Sequence, residues 1–202
     1  KGFDALIDEL SRYLRKLSAN EIATAIPREV FALRRLFPVL GRIDAIAHAP
    51  ERAVPDAFEL RRRGFLALGE LLGRIRDRHA LVVAIDDLQW SDHDSTSLLL
   101  HLLRQSDAPR LLLIASHRSE GMHGNPVLKP LYEMLELDSQ LDIRPLVCGP
   151  LPAAAAASLV PRQFGEIAEG LLREAGGNPF LLGELTRAGL SAAGRSLAEI
   201  LR

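Results

Sequence analysis

The chain has 202 residues, of which 48% are hydrophobic, 25% charged and 5% aromatic, and its formal net charge is -1. That length supports a sizeable core in one domain, or one domain with a helical appendage. The near-neutral balance, with arginines spread along helical patterns instead of gathered beside aromatics, argues against a nucleic-acid surface. No apolar run approaches the roughly 20 residues of a membrane span, and a single cysteine, Cys148, leaves no internal disulfide. These features predict a cytoplasmic protein with an inert, buried thiol. With Met122 and Met134 the only methionines and helical patterns running to both ends, the chain is expected to be a piece of a longer protein.

Taken in order, Phe3, Leu6, Ile7, Leu10, Leu14 and Leu17 recur at helical spacing among Asp4, Asp8, Glu9, Arg12 and Arg15, predicting a surface helix over 3–17. Pro27 suits the first turn of a second helix that runs through Val30, Leu33 and Leu36 until Phe37 and Pro38 interrupt it. A short helical run over 39–46 and a loop over 48–55 follow. A long helix is predicted over 56–78, with Phe58, Phe65, Leu68, Leu71, Leu72 and Ile75 as its apolar side. Gly64 and Gly69 within it have the spacing of a phosphate-binding loop, but Glu70 and Leu71 stand where Lys and Ser or Thr are required. A carboxylate there repels phosphate, so both are helix glycines. The lysines are Lys1, Lys16 and Lys129, none in a Gly-rich turn, and the chain therefore lacks a phosphate cradle.

The organising stretch is 81–92. Leu81, Val82, Val83, Ala84 and Ile85 read as a buried strand that delivers Asp86 and Asp87 to its carboxyl end, where ligands bind in open α/β sheets. Paired acids at that place suit a nucleoside-triphosphate site, one carboxylate holding Mg²⁺ and the next acting on the attacking water. Asp is also common where a strand gives way to a turn, and the bland reading stands beside the chemical one. Ser91, Asp92 and Asp94 supply N-caps for a helix over 95–105 that faces Leu98, Leu99, Leu102 and Leu103 inward. A second apolar run, 111–115, ends in Ser116, His117 and Arg118, so strand, helix and strand form a βαβ unit with parallel pairing. Arg118 thus emerges at the same sheet edge as the acids. Trp90 reads as a packing residue beside the site.

A polar, Gly-containing loop over 119–125, a place for a nucleotide-responsive segment although composition favours ordinary loop mobility, leads to a helix over 126–136. A short third strand is predicted over 142–146, set apart from the first two. A helix from Pro152 through Val160, another over 164–174, a Gly176-Gly177-Asn178-Pro179 turn and a helix over 180–188 complete the chain. The histidines match no familiar zinc spacing, and Ser95, Ser97 and Ser116 lack a nucleophile-elbow motif.

With these pieces in register, 81–92 resembles the second nucleotide-binding motif of bacterial signal-transduction ATPases of the STAND branch of the AAA+ superfamily, modules fused to serine/threonine kinases, adenylate cyclases or transcriptional regulators. The run 111–118 looks like that family's fourth core strand, with its terminal arginine as the γ-phosphate sensor. Residues 144–160 look like the last core strand and the entry to the lid, and 174–182 resemble the lid's glycine-x-proline motif. The first eighty residues look like the helical insert of kinase-fused modules. The resemblance implies an incomplete P-loop NTPase (AAA+-like) α/β fold, a parallel sheet with helices on both faces and a C-terminal helical lid. Its segments would be 1–80 (helical insert), 81–148 (core strands) and 149–202 (start of the lid). It further implies Asp86 as the Mg²⁺ ligand, Asp87 as the catalytic residue that acts on the hydrolytic water, and Arg118, Gly177, Asn178 and Pro179 as ATP-binding residues. The expected partners are ATP/Mg²⁺ in the intact protein, other domains of the same chain, and a second copy in a nucleotide-dependent assembly; neither membrane nor nucleic acid is among them. The first strand and phosphate loop are expected upstream, so the piece alone would be inactive while its parent hydrolyses ATP and acts as a regulatory switch. The alternative is a nucleotide-sensing or scaffolding module without hydrolysis. A carboxylate-metal hydrolase built on Asp86 and Asp87 has no third acidic ligand in view.

Overall fold

The computed structural model describes residues 2–104, 108–119, 125–137, 141–161, 164–165 and 167–191. They fall into two compact units, 1–142 and 143–202. In the first, α1 (Gly2–Leu14), α2 (Ala19–Ala25), α3 (Val30–Leu36), α4 (Asp44–Ala47) and α5 (Ala57–Arg76) precede β1 (Val82–Ile85), α6 (His93–Arg104), β2 (Leu112–Ala115) and α7 (Leu128–Leu137). The second contains α8 (Ala153–Leu159), α9 (Ile167–Ala175) and α10 (Pro179–Ser191).

The first helix buries Phe3, Ile7, Leu10 and Leu14, the stripe its spacing predicts, and stops three residues early. The following helix, α2, is an element the apolar pattern misses, because its stability lies at its start. Ser18 accepts from the Glu21 N–H while the Glu21 carboxylate accepts from the Ser18 N–H, a complete capping box. The run 39–46 becomes a 3₁₀ turn, Pro38–Arg42, and the single turn of α4. The long α5 begins at Asp56, whose carboxylate caps the Glu59 N–H at 2.8 Å. It packs on α3 through Gly64, where an added Cβ would lie 2.6 Å from Leu36 Cδ2. This close approach explains the glycine with no reference to phosphate. Phe58, placed by the periodicity on the apolar side, is instead 78% exposed, being on the first turn before the helix reaches the core.

β1 and β2 pair in parallel, with Val82 opposite Leu112 and Ile85 opposite Ala115, as the βαβ reading requires. The expected burial on both faces is corrected. Val83 and Ile85 are buried, and Val83 looks into a crevice shared with Phe3, Leu72, Leu99 and Leu102. Val82, Leu112 and Ile114, at 56%, 58% and 53% exposed, form an open face with Ala84. Alternate residues of a strand point to opposite faces, and among the described residues helices cover one of them. The third strand predicted over 142–146 does not form: this stretch belongs to no sheet, and its apolar Ile143 and Leu146 are exposed. Without a neighbouring strand to satisfy its backbone, an apolar pattern by itself makes no ladder. Cys148, expected buried, is exposed on the same unpaired stretch.

In the second unit, Ala156, Val160, Phe164, Leu171, Ala175, Leu182 and Leu185 make a small core of their own. Most of the 119–125 loop, the end of the 95–105 helix and part of the start of the 164–174 helix lie outside the described residues. No described helix is long and apolar enough to cross a membrane.

Candidate functional site

Parallel pairing brings the carboxyl ends of β1 and β2 side by side, and the register continues past the ladder. Ile85 faces Ala115, so Asp86 comes level with Ser116. Every polar group of Ser116 is used there. Its N–H donates to the Ile85 carbonyl at 2.9 Å, and its own carbonyl accepts from the Leu88 N–H at 2.9 Å. Its hydroxyl donates to Asp86 Oδ1 and accepts from the Asp87 N–H at 3.0 Å. The Asp87 N–H is shared, because it also reaches Asp86 Oδ1 at 3.1 Å.

Asp87 leaves the strand at φ 52°, ψ 46°, the one described non-glycine residue with positive φ. Asp is among the few residues that enter this left-handed region readily. The turn reverses the chain into a 3₁₀ turn, Leu88–Trp90, and tucks Leu88 into the core. Gln89 then folds back, its Nε2 donating to Asp87 Oδ1 at 2.9 Å and its Oε1 accepting from the Arg118 N–H at 3.3 Å. The second carboxylate oxygen of Asp87 and the guanidinium of Arg118 have no partner among the described residues. Both side chains are exposed.

Trp90 is 69% exposed, which corrects its reading as a packing residue; Leu88 supplies the packing at this turn. Of the proposed N-caps, Asp92 performs the task, Oδ1 accepting from the Ser95 N–H at 2.7 Å. That hydrogen bond holds its pKa below the ordinary carboxylate value. Asp94 instead pairs with Arg61 of α5 at 3.0 Å. His117 is turned away from the acids, with Nε2 2.5 Å from the Tyr132 hydroxyl on α7. No cluster of three or more metal-ligating side chains occurs among the described residues.

Gly177, Asn178 and Pro179 lie in the other unit and form a built turn there. Asn178 Oδ1 accepts from the N–H groups of Phe180 at 2.9 Å and Leu181 at 3.2 Å, capping α10 just before Pro179 at its first position. Gly176 and Gly177 have φ of +54° and +78°. The Gly177 carbonyl accepts from the Leu151 N–H at 2.8 Å, tying the turn to the segment before α8.

The structure thus brings Asp86, Asp87 and the Arg118 backbone into one hydrogen-bonded knot. It also adds Ser116 and Gln89, which motif reasoning overlooked. Ser116 was legible from register alone, being the residue that parallel pairing sets beside Asp86. Gln89 carried no spacing signal, since its role depends on the left-handed turn at Asp87.

The acid pair thus lies at the carboxyl end of a parallel strand pair, the edge at which ligands bind in open α/β sheets. The family model of the AAA ATPase domain matches residues 3–114, more than half of the chain, and the chain belongs to that family. No curated protein and no solved structure matches it.

Proposed function

We propose that this chain supplies the acid-and-arginine half of an ATP-hydrolysing site in a regulatory ATPase of the STAND type. The observation that carries this reading is the knot at the strand ends. It fixes two adjacent carboxylates while leaving one oxygen of Asp87 and the whole Arg118 guanidinium unengaged by the described residues.

The donor chemistry fits Mg²⁺. Asp86 offers a carboxylate whose Oδ1 is already held by the Ser116 hydroxyl and the Asp87 N–H, a hard oxygen ligand of fixed orientation. Mg²⁺ binds through one or two carboxylates, waters and substrate phosphates, so a single protein carboxylate suffices. When bound, the ion neutralises charge on the phosphates. Asp87 would orient the attacking water and accept its proton through the free oxygen. Arg118 would stabilise charge on the γ-phosphate through its planar fork. No Gly-rich turn with a lysine occurs in the sequence, so the phosphate cradle is assigned to sequence outside this chain.

Residues 1–80 are read as a helical insert, 81–148 as core strands and 149–202 as the start of a helical lid, with Gly177, Asn178 and Pro179 at the adenine. The helical turn that Asn178 caps supports this last assignment, because a stiff hinge suits a lid coupled to nucleotide state. The effector would be another domain of the same protein, such as a kinase.

The test is ATP turnover by the full-length protein. Asp87→Asn is expected to cut hydrolysis severely, to a residual rate that is still measurable, with ATP still bound, and Asp86→Asn to raise the Mg²⁺ requirement. Unchanged turnover in Asp87→Asn would remove it as the residue that acts on the attacking water and favour a nucleotide-sensing or scaffolding module.

A further inference from the structure

Asp87 is pinned at one oxygen only, and the group that pins it also touches the neighbouring strand. The Gln89 amide has a single orientation that serves both contacts. A carboxylate cannot donate, so the NH₂ must face Asp87; a backbone N–H cannot accept, so the carbonyl oxygen must face Arg118. The main chain of Gln89 is held too, since its carbonyl accepts from Asn125 Nδ2 at 3.3 Å. Asn125 is itself fixed, Oδ1 accepting from the N–H groups of Val127 at 2.8 Å and Leu128 at 3.1 Å just before α7. Gln89 is half-buried, and its contacts to Asp87 and to the Arg118 N–H lie at the surface.

We infer that Gln89 is a positioning residue that ties the Asp87 carboxylate to the main chain at Arg118, so that movement at Arg118 changes how the acid is presented to water. This rests on the reading of Asp87 as the acid that handles the attacking water. With one bond at Oδ1, the carboxylate keeps Oδ2 fully open, in an orientation restrained by the amide. A shift of the Arg118 backbone draws on Oε1 and releases or turns that amide. The strand that carries the arginine thereby gates the acid, and no other described side chain bonds the Asp87 carboxylate.

The experiment uses the full-length protein and four variants: Asp87→Asn, Gln89→Ala, Gln89→Glu and the double Asp87→Asn/Gln89→Ala. Each is measured for kcat, ATP dissociation constant and melting temperature. Gln89→Ala should lower kcat about tenfold, as misorientation of a reacting group does, with ATP affinity and melting temperature unchanged. Gln89→Glu should lower it further, because it replaces the donor with a second carboxylate facing Asp87. In the double variant, loss of Gln89 should cost nothing beyond loss of Asp87, as expected for residues acting as one unit. If Asp87→Asn loses most of its turnover while both Gln89 variants keep wild-type kcat, or if the two losses multiply in the residual rate of the double variant, the inference fails and the catalytic reading survives. If Asp87→Asn turns over normally, both fail. A drop in affinity or melting temperature that tracks kcat would make Gln89 a structural residue and overturn the inference.

Discussion

The Ser116 hydroxyl donates to the Asp86 carboxylate and at the same time accepts from the Asp87 N–H, so one side chain at the end of β2 holds both acids at the end of β1. Removing it frees the carboxylate expected to hold the metal and strips the Asp87 N–H of one of its two acceptors. In the full-length protein Ser116→Ala is expected to raise the Mg²⁺ concentration for half-maximal turnover by about tenfold, the usual cost of losing a group that orients a metal ligand. Ser116→Thr, which keeps the hydroxyl, should lie close to wild type. A Mg²⁺ titration of ATP turnover reads both.

The Gly176-Gly177 turn yields a ranked prediction. Both residues have positive φ, but they differ in surroundings: nothing lies within 4 Å of a Cβ at Gly176, while a Cβ at Gly177 would sit 2.9 Å from the Leu151 carbonyl and from Pro150 Cβ. Gly176→Ala therefore carries the backbone penalty alone, about 1 kcal/mol. Gly177→Ala adds a collision with backbone that also holds the Leu151 N–H bond. Hydrogen exchange over 143–191 should show modest loss of protection for the first variant and a much larger loss for the second. Gly176→Asn, which tolerates left-handed backbone, should recover part of its deficit.

Much of this was readable before any coordinates. Periodicity located the stripe of α1 and the buried side of α5, and two apolar runs separated by a capped helix sufficed for the parallel pairing of β1 with β2. The failures share a cause, in that local pattern carries no knowledge of what lies opposite. Val82 and Ile114 look like core residues and are exposed, because burial of a strand's second face depends on another layer. The run 142–146 reads as a strand and has no ladder to join. Trp90, on a short 3₁₀ turn, and Phe58, on the first turn of α5, are large and apolar yet face outward. At the site, sequence located the acids and the arginine but not the groups that join them. Ser116 needed the strand register, and Gln89 needed the positive φ of Asp87, a conformation that residue type permits but does not announce.

A second pair of glycines separates packing from propensity within one helix. Gly64 and Gly73 both lie in α5, where glycine costs about 1 kcal/mol relative to alanine. At Gly73 an added Cβ meets nothing within 4 Å, so Gly73→Ala should raise thermal stability by roughly that amount. At Gly64 the Cβ would lie 2.6 Å from Leu36 Cδ2 and 3.3 Å from the Ala32 carbonyl, so α3 and α5 must separate. Gly64→Ala should therefore lose about 1–3 kcal/mol, the range for overpacking a filled interface. Thermal melts of the two variants, moving in opposite directions, check the assignment.

His101 makes stability depend on pH. Its ring lies 5.6 Å from that of Phe65 between α6 and α5, and its Nε2 is buried without a hydrogen-bond partner. Burial lowers its pKa below the ordinary value of 6.5, and the positive charge of Arg62 adds to the effect. The native state therefore holds the neutral ring while the unfolded chain takes a proton more readily. Stability from this site is complete above 6.5 and is lost as pH falls through the depressed native value. Glu59 does not blur this window: hydrogen bonds from Arg62 and Arg63 lower its pKa from 4.5 to about 2, so its contribution is complete above 4.5 and is lost only below the range measured. His101→Phe keeps the aromatic contact and removes both the titration and the unpaired nitrogen. Melting temperature recorded from pH 8 to pH 5 should decline in the wild type and decline measurably less in the variant. Parallel curves would show that His101 takes up a proton as readily in the native state as in the unfolded chain, and would sink the assignment.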